Sequence, residues 1–377
     1  RNKNVTYYLI FKEQILFLNI LYEEIVTMKV EDYIQETPIK MREIIEKSAA
    51  LFENIKQADF DKIILTGSGT SFHAALQTKP FLQKLLKIEI EALYPFQVTN
   101  ETFLANQHQT LVIGLSQGGS SYSTYHAMVT GKHQGARVAS MAGAEHVLID
   151  EIADDQLTVF CGEENAGPKT KGYTTTKLNL MLFGLFVALE RKHISESDFK
   201  HELSLIESAI GKFQQIYQIS NQWVSAHKQD LAKVKDIRVI GMANQYGDVL
   251  ETALKILETL RIPVTGYEFE EFIHGIYNAI NEESTLIIYD FGQEERVKKL
   301  IDVLSEWTNH VYVVTNQKDD DQRNSVYLPI YAHNPYEMLF LVIPMQLICA
   351  CVPELKGVDP SIPKDKQFHQ KLNSKRL

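Results

Sequence analysis

Short apolar runs alternate with amphipathic stretches along most of this chain, and the alternation predicts its elements. From Val30 to Lys56 the apolar positions Ile34, Met41, Ile44, Ile45, Ala49, Leu51 and Ile55 recur at helical spacing among charges, which predicts a helical lead-in. The pattern then changes. Lys62 to Gly67 reads as a buried strand, and Ser68-Gly69-Thr70-Ser71 turns it into a helix running to about Lys87. Further strand-like runs stand at Ile88 to Tyr94, Leu111 to Leu115, Arg137 to Ala142 and Leu157 to Cys161, with helical stretches between them. Strands alternating with helices predict an α/β fold built on a parallel, doubly wound sheet. A strongly apolar helix, Leu178 to Leu189, closes this part, and Ser195 to about Lys235 suits one or two linking helices.

The pattern then begins again. Asp236 to Gly241 repeats the first strand and its glycine, and Thr285 to Tyr289 repeats Thr110 to Gly114, at offsets of 241 − 67 = 174 and 285 − 110 = 175. His310 to Thr315, Val326 to Ile330 and the apolar segment Tyr336 to Val352 echo the fourth strand, the fifth strand and the closing helix. A repeat of this length predicts two tandem domains of one fold. The expected divisions are 1–27 (an extension), 28–60 (helical lead-in), 61–193 (first domain), 194–235 (linking helices), 236–356 (second domain) and 357–377 (a C-terminal tail over the site). The first 27 residues are unlike the rest: Tyr7 to Leu21 is apolar but interrupted by Lys12, Glu13 and Gln14, too short to span a bilayer and followed by no small-residue cleavage site. Two readings of that extension stand: native translation starting at Met28, the first methionine, or an amphipathic helix that packs on a partner.

Composition narrows the function. Of 377 residues 45% are hydrophobic and 23% charged, a globular balance, and the net charge of −10 disfavours nucleic acid as a partner. Cys161, Cys349 and Cys351 lie in apolar surroundings without metal-ligand or disulfide spacing, so buried thiols in a reducing, cytoplasmic setting are expected, with no metal, no cofactor and no membrane contact.

The chemistry gathers at Thr110 to Ser121, where a buried strand empties into Ser116-Gln117-Gly118-Gly119-Ser120-Ser121 and then a helix. Two glycines let the backbone present N–H groups, the helix start adds partial positive charge, and the serines add hydroxyl donors, so a phosphate would sit there. The plainer alternative makes Ser120 or Ser121 an ordinary helix N-cap. In the second half Asp290-Phe291-Gly292-Gln293-Glu294-Glu295 replaces this loop, and its carboxylates would repel an anion. One phosphate site per chain is therefore expected.

Two tandem α/β repeats, with Gly69-Thr70-Ser71 after the first strand and Ser116-Gln117-x-Gly-x-Ser121 after the third, resemble the double sugar isomerase (SIS) domain proteins. The resemblance is nearest to the isomerase half of glucosamine-6-phosphate synthase and related phosphosugar deaminases and deglycases. Thr170-Lys171 with Tyr173-Thr174-Thr175 matches the loop before the helix closing the first domain. Glu251-x-Ala253-Leu254-Lys255-x-x-Glu258, followed by His274-Gly275, matches the motif that carries the family's acid/base chemistry. The resemblance implies that Gly69, Thr70, Ser71, Ser116, Gln117 and Ser121 bind the phosphate of a sugar 6-phosphate. It implies that Glu258 moves a proton between C1 and C2 with Lys255 beside it, and that His274 assists ring opening from a neighbouring subunit, making a homodimer. Gly167, Lys171 and a tail lysine, Lys366 or Lys371, are implied as further substrate contacts.

The chemistry suits these residue types in its own right. Aldose–ketose interconversion needs one carboxylate placed to remove and return a proton, and an imidazole titrating near neutrality can serve the ring oxygen. Departures from the family pattern are Gly118 for a serine, Ser120 for a glutamate, Ser68 for a cysteine, and Phe368 where ungapped counting places the tail lysine. The synthase's N-terminal glutaminase domain, with its terminal cysteine, is expected to be absent, so this chain is not expected to draw ammonia from glutamine. The expected function is isomerisation of a 6-phosphorylated amino sugar or fructosamine coupled to deamination or deglycation. The competing reading is a non-catalytic phosphosugar sensor, which needs the phosphate loop but not Glu258. A dinucleotide-binding oxidoreductase is excluded, since no Gly-x-Gly-x-x-Gly follows Leu65 or Ile240.

Overall fold

The structure, a computed structural model, describes residues 28–103, 109–292, 294–318, 324–331 and 334–376, so both readings of the extension 1–27 fall outside the described residues. Helix α1 (Val30–Leu51) leads into β1 (Lys62–Gly67), α2 (Thr70–Leu86), β2 (Glu89–Leu93), β3 (Thr110–Leu115), α3 (Tyr122–His133), β4 (Arg137–Met141), β5 (Asp155–Gln156) and α4 (Lys171–Glu190). A single helix, α5 (Glu196–Leu231), crosses to the second domain. There β6 (Ile237–Gly241), α6 (Tyr246–Leu260), β7 (Val264–Glu268), α7 (Phe269–Ile273), β8 (Thr285–Asp290), α8 (Glu295–Trp307), β9 (Val311–Thr315), β10 (Ser325–Tyr327) and α9 (Ile343–Cys351) follow in the same sequence of types but for the added short helix α7. A short tail helix, α10 (Phe368–Lys371), comes last.

Both sheets are five-stranded and parallel throughout, in the orders β2-β1-β3-β4-β5 and β7-β6-β8-β9-β10. The expected repeat is therefore a repeat of topology. In this order the chain reverses direction across the sheet between β1 and β3, and ligands of such sheets bind at the strand C-termini at that switch point. The loops there are Ser68 to Ser71 and Ser116 to Ser121, the two serine-bearing loops of the sequence.

The elements form for ordinary reasons. β1, β3, β6 and β8 are almost wholly buried, as strands covered on both faces must be, and their sequences are correspondingly apolar without alternation. Helix α4 is buried on every side, which its apolar circumference requires. Ser195 caps α5 by accepting from Asp198 N at 3.1 Å, while the Asp198 carboxylate takes the Ser195 N–H, a reciprocal pair that fixes where the 36-residue helix begins. Several boundaries differ from expectation: α4 begins at Lys171 rather than Leu178, and β10 is Ser325–Tyr327 rather than Val326 to Ile330. The fifth strand is Asp155–Gln156 rather than Leu157 to Cys161, although Leu157 and Val159 still donate to Ser140 and Ala142 of the β4 edge at 2.7 Å each. The segment Tyr336 to Val352 is broken into a 3₁₀ turn, Glu337–Phe340, and α9, with Pro344 in the first turn of the second piece where a missing N–H costs nothing. The apolar stretch Glu337–Lys356 has the length and mean hydropathy, 2.0, of a membrane span, but 72% of it is buried inside the protein, so it is a core element.

The two domains share one hydrophobic core, with α2 packed on both α4 and α6. Across that contact Tyr173 and Lys177 of α4 both donate to Asp248 Oδ1 of α6, at 2.7 Å each, with all three side chains at most 1% exposed. Burial raises the Asp248 carboxyl above its ordinary range against the pull of Lys177.

Candidate functional site

After β3 the chain turns at once. Gly119 has φ +64°, and a Cβ there would lie 2.2 Å from the Val147 side chain, so only glycine both makes this turn and lets the loop lie against its neighbour. Ser121 is the N-cap of α3, its hydroxyl accepting from Thr124 N at 3.3 Å, and Ser116 sits just inside the surface. Gln117 donates to the Glu164 carboxylate at 3.0 Å, while its Oε1 is buried without a partner among the described residues. The corresponding helix start in the second domain is filled by the chain itself: Glu294 caps α8, accepting from Arg296 N at 3.3 Å. The expected loss of the second anion site thus has a concrete form, a carboxylate standing where the anion would.

Glu164 was not singled out in the sequence, and it organises the loop before α4. Its two oxygens accept from Thr170 N and Oγ1, Lys171 N, Gly172 N and Gln117 Nε2, so a buried carboxylate closes the N-terminus of α4 and ties it to the loop after β3. This pins the loop that carries Gly167 and Lys169. Gly167 has φ +91°, and a Cβ would stand 2.1 Å from the carbonyl oxygen of Pro360, so the tail runs directly across this glycine.

The second half of the site comes from α6. Lys255 donates to Glu258 Oε2 at 2.7 Å and lies 3.9 Å from Glu251 Oε1. Burial alone would lower the Lys255 ammonium, but Glu251 and Glu258 outweigh it and raise its pKa, so the side chain is a cation at neutral pH. Glu251, named in the sequence motif only as a marker, accepts from Thr70 Oγ1 at 3.1 Å and pairs with His73 Nδ1 at 2.8 Å. Thr70 is the first residue of α2, directly after the loop that follows β1. A continuous chain of contacts therefore runs from Thr70 through Glu251 and Lys255 to Glu258, across the domain boundary.

Glu258 is 41% exposed and lines a pocket of about 1070 Å³ together with Gly167, Lys169, Arg261 and tail residues from Pro360 to Lys364. His274 is elsewhere. It is the exposed C-cap residue of α7 and does not line this pocket within one chain.

The tail arrives differently from the expectation drawn from the sequence. Ser374 to Arg376 lies against the loop Ser116 to Ser121: Ser121 and Lys375 form an antiparallel bridge, Tyr122 N donates to Ser374 O at 3.3 Å, and Arg376 N to Ser120 O at 2.9 Å. Lys375, rather than Lys366 or Lys371, is the tail lysine brought to the serines. Lys371 is paired with Asp365 within the tail at 2.7 Å, and neither Lys366 nor Lys371 lines the Glu258 pocket. Lys171 also departs from its expected role: its ammonium is buried against Glu36 of α1 at 2.6 Å, so it ties the lead-in helix to the core instead of facing a ligand. Lys375 was invisible to counting because a bridge between distant segments, not a local motif, fixes it. Among the described residues no three His, Cys, Asp or Glu side chains gather as a metal site.

No protein-family model matches the chain. Among curated proteins it is 28% identical over 317 residues to glutamine–fructose-6-phosphate aminotransferase (isomerizing) of Clostridium tetani, covering 81% of this chain and 51% of that protein. The chain thus spans about half the length of the curated relatives it matches. Among solved structures, a candidate phosphosugar isomerase of Clostridium difficile 630 is 51% identical, with TM-score 0.90 over 93% of this chain and 99% of that one. A candidate sugar-binding protein of Salmonella typhimurium LT2 is 37% identical, with TM-score 0.79 over 85% of this chain and 99% of that one.

Proposed function

The chain belongs to the double sugar isomerase (SIS) domain family, and from that premise we propose that it acts on a 6-phosphorylated fructosamine or amino sugar, coupling proton transfer between C1 and C2 to release of the amine. The observation that carries the reading is Glu258, a carboxylate lining a pocket of about 1070 Å³, held by the Lys255 ammonium and connected through Glu251 to Thr70 at the start of α2.

In this reading the phosphate is held by Ser71, Ser116, Gln117 and Ser121 together with the backbone of Gly69 and Thr70. Glu258 removes a proton from C1 of the open-chain ketosamine while solvent gives one to O2, forming an enolamine, and Glu258 returns its proton at C2. The nitrogen lone pair then forms an iminium at C1, water adds there, and the C–N bond breaks to leave an aldose 6-phosphate and a free amine. Lys255 holds the Glu258 carboxylate in place through the cycle. The exposed His274 is assigned to ring opening in the site of a second copy, so a homodimer is part of the proposal.

The test is solvent exchange. In heavy water the wild type should exchange the proton at C1 or C2 of a bound sugar phosphate, followed by NMR, and Glu258→Gln should lower exchange and turnover by about 10²–10⁴ while barely altering ligand affinity. No exchange by wild type with any sugar phosphate that binds would make the chain a sensor rather than an enzyme.

A further inference from the structure

On α6 one ammonium stands between two carboxylates, Lys255 a turn after Glu251 and a turn before Glu258. Glu251 and Lys255 are buried, whereas Glu258 opens to the pocket. Attraction between charges strengthens as water is excluded, so on burial alone Glu251 is the stronger partner for Lys255. The electrostatics agree: against burial, which lowers the pKa of the Lys255 ammonium, the charge of Glu251 contributes more to the net rise than that of Glu258. Yet Lys255 Nζ stands 2.7 Å from Glu258 Oε2 and 3.9 Å from Glu251 Oε1.

The reason lies outside the helix. Both oxygens of Glu251 are taken by α2 of the other domain, Oε1 by Thr70 Oγ1 at 3.1 Å and Oε2 by His73 Nδ1 at 2.8 Å. A carboxylate offers only acceptors, so the proton of this pair is on Nδ1 and His73 donates. Gly247, one turn before Glu251, makes the approach possible: a Cβ there would stand 2.6 Å from both His73 O and Gln77 Cβ, so α6 lies directly on α2 at this point. His73 is itself buried, and the chemistry proposed above makes no use of it.

We propose that His73 is a positioning residue for Glu258: by holding Glu251 from the opposite domain, it keeps that carboxylate from capturing Lys255 and leaves the ammonium to the catalytic base. The inference rests on the reading that Glu258 transfers the proton. It adds that the base is set by a hydrogen bond made across the domain boundary.

The test sets hydrogen bonding against packing. His73→Leu and His73→Ala both remove the donor, the first keeping most of its bulk, whereas His73→Asn keeps a donor near the Nδ1 position. In crystals of either donorless variant Lys255 Nζ should have left Glu258 and come within about 3 Å of Glu251, and in His73→Asn it should stay on Glu258. With fructosamine 6-phosphate as the probe, kcat should fall at least about tenfold in both donorless variants with KM within about twofold, and His73→Asn should lose no more than about threefold. Glu251→Gln removes the competing charge, so adding His73→Leu to it should cost less than about twofold. Lys255 still on Glu258 in the donorless variants, equal losses in His73→Asn and His73→Leu at unaltered melting temperature, or an undiminished loss in the Glu251→Gln background overturns the role of His73. The crystals separate this from the parent reading. A moved Lys255 in a protein whose wild type turns over no sugar phosphate upholds the positioning and removes the reaction, whereas full turnover with Lys255 unmoved upholds the reaction and removes the positioning.

Discussion

At the scale of single residues the phosphate loop asks two things of one serine. Ser121 caps α3 and also stands where the phosphate is proposed to bind, while Ser116 has no capping duty. Ser121→Ala should therefore cost about 1 kcal/mol of stability as a lost N-cap, and both Ser121→Ala and Ser116→Ala should weaken glucose 6-phosphate binding about tenfold. Urea titration and calorimetry on the two variants read the two effects apart, and unchanged affinity in both would remove the loop from the site. The sequence showed the serines because their chemistry is local: a strand, two glycines and hydroxyls in one run. It could not show Lys375 as a neighbour of that loop, since that contact depends on how the tail folds back over the site. Lys171 misled for the same reason. Its motif position is that of the family, but α1 brings Glu36 within reach and takes the ammonium inward.

Among the elements, the start of α4 is the joint on which the site depends. The apolar run that forms this helix was plain in the sequence; its cap was not, because Glu164 lies six residues before Thr170 and reaches the helix start only through the loop's own fold. Removing the carboxylate strands donors at a buried helix terminus and frees Gln117. Glu164→Ala should cost about 2–4 kcal/mol, a lost cap together with buried N–H groups left without an acceptor, and Glu164→Gln, which keeps one acceptor oxygen, clearly less. Denaturant unfolding measures both, and equal losses would mean that the side chain's packing rather than its acceptors matters. The broken segment Glu337 to Cys351 was equally hidden, since a proline in the first turn of a helix and a proline within one look alike to hydrophobic spacing.

At the scale of the molecule the tandem repeat was the most legible feature, because buried parallel strands must be apolar runs and the same runs recur some 174 residues later, the first again ending in a glycine, Gly241 for Gly67. What spacing alone could not convey is that the two copies are not independent. Thr70 and His73 of the first reach Glu251 of the second, and Asp248 is buried between Tyr173 and Lys177, so the site exists only when the domains are docked. One proposed participant is still displaced. His274 lies exposed on α7, outside the pocket of its own Glu258, so in the proposed mechanism each site draws its histidine from a second copy. Glu258→Gln and His274→Ala homodimers should each be nearly inactive. Mixed and allowed to exchange subunits, they should regain activity, because a heterodimer contains one site with both residues intact; at equal mixing half the dimers are of that kind and each has one working site of two, so recovery should approach about a quarter of the wild-type rate if sites act independently. A monomer by light scattering at assay concentration, or no recovery once exchange has been demonstrated with labelled subunits, would assign His274 to its own chain or to no catalytic role.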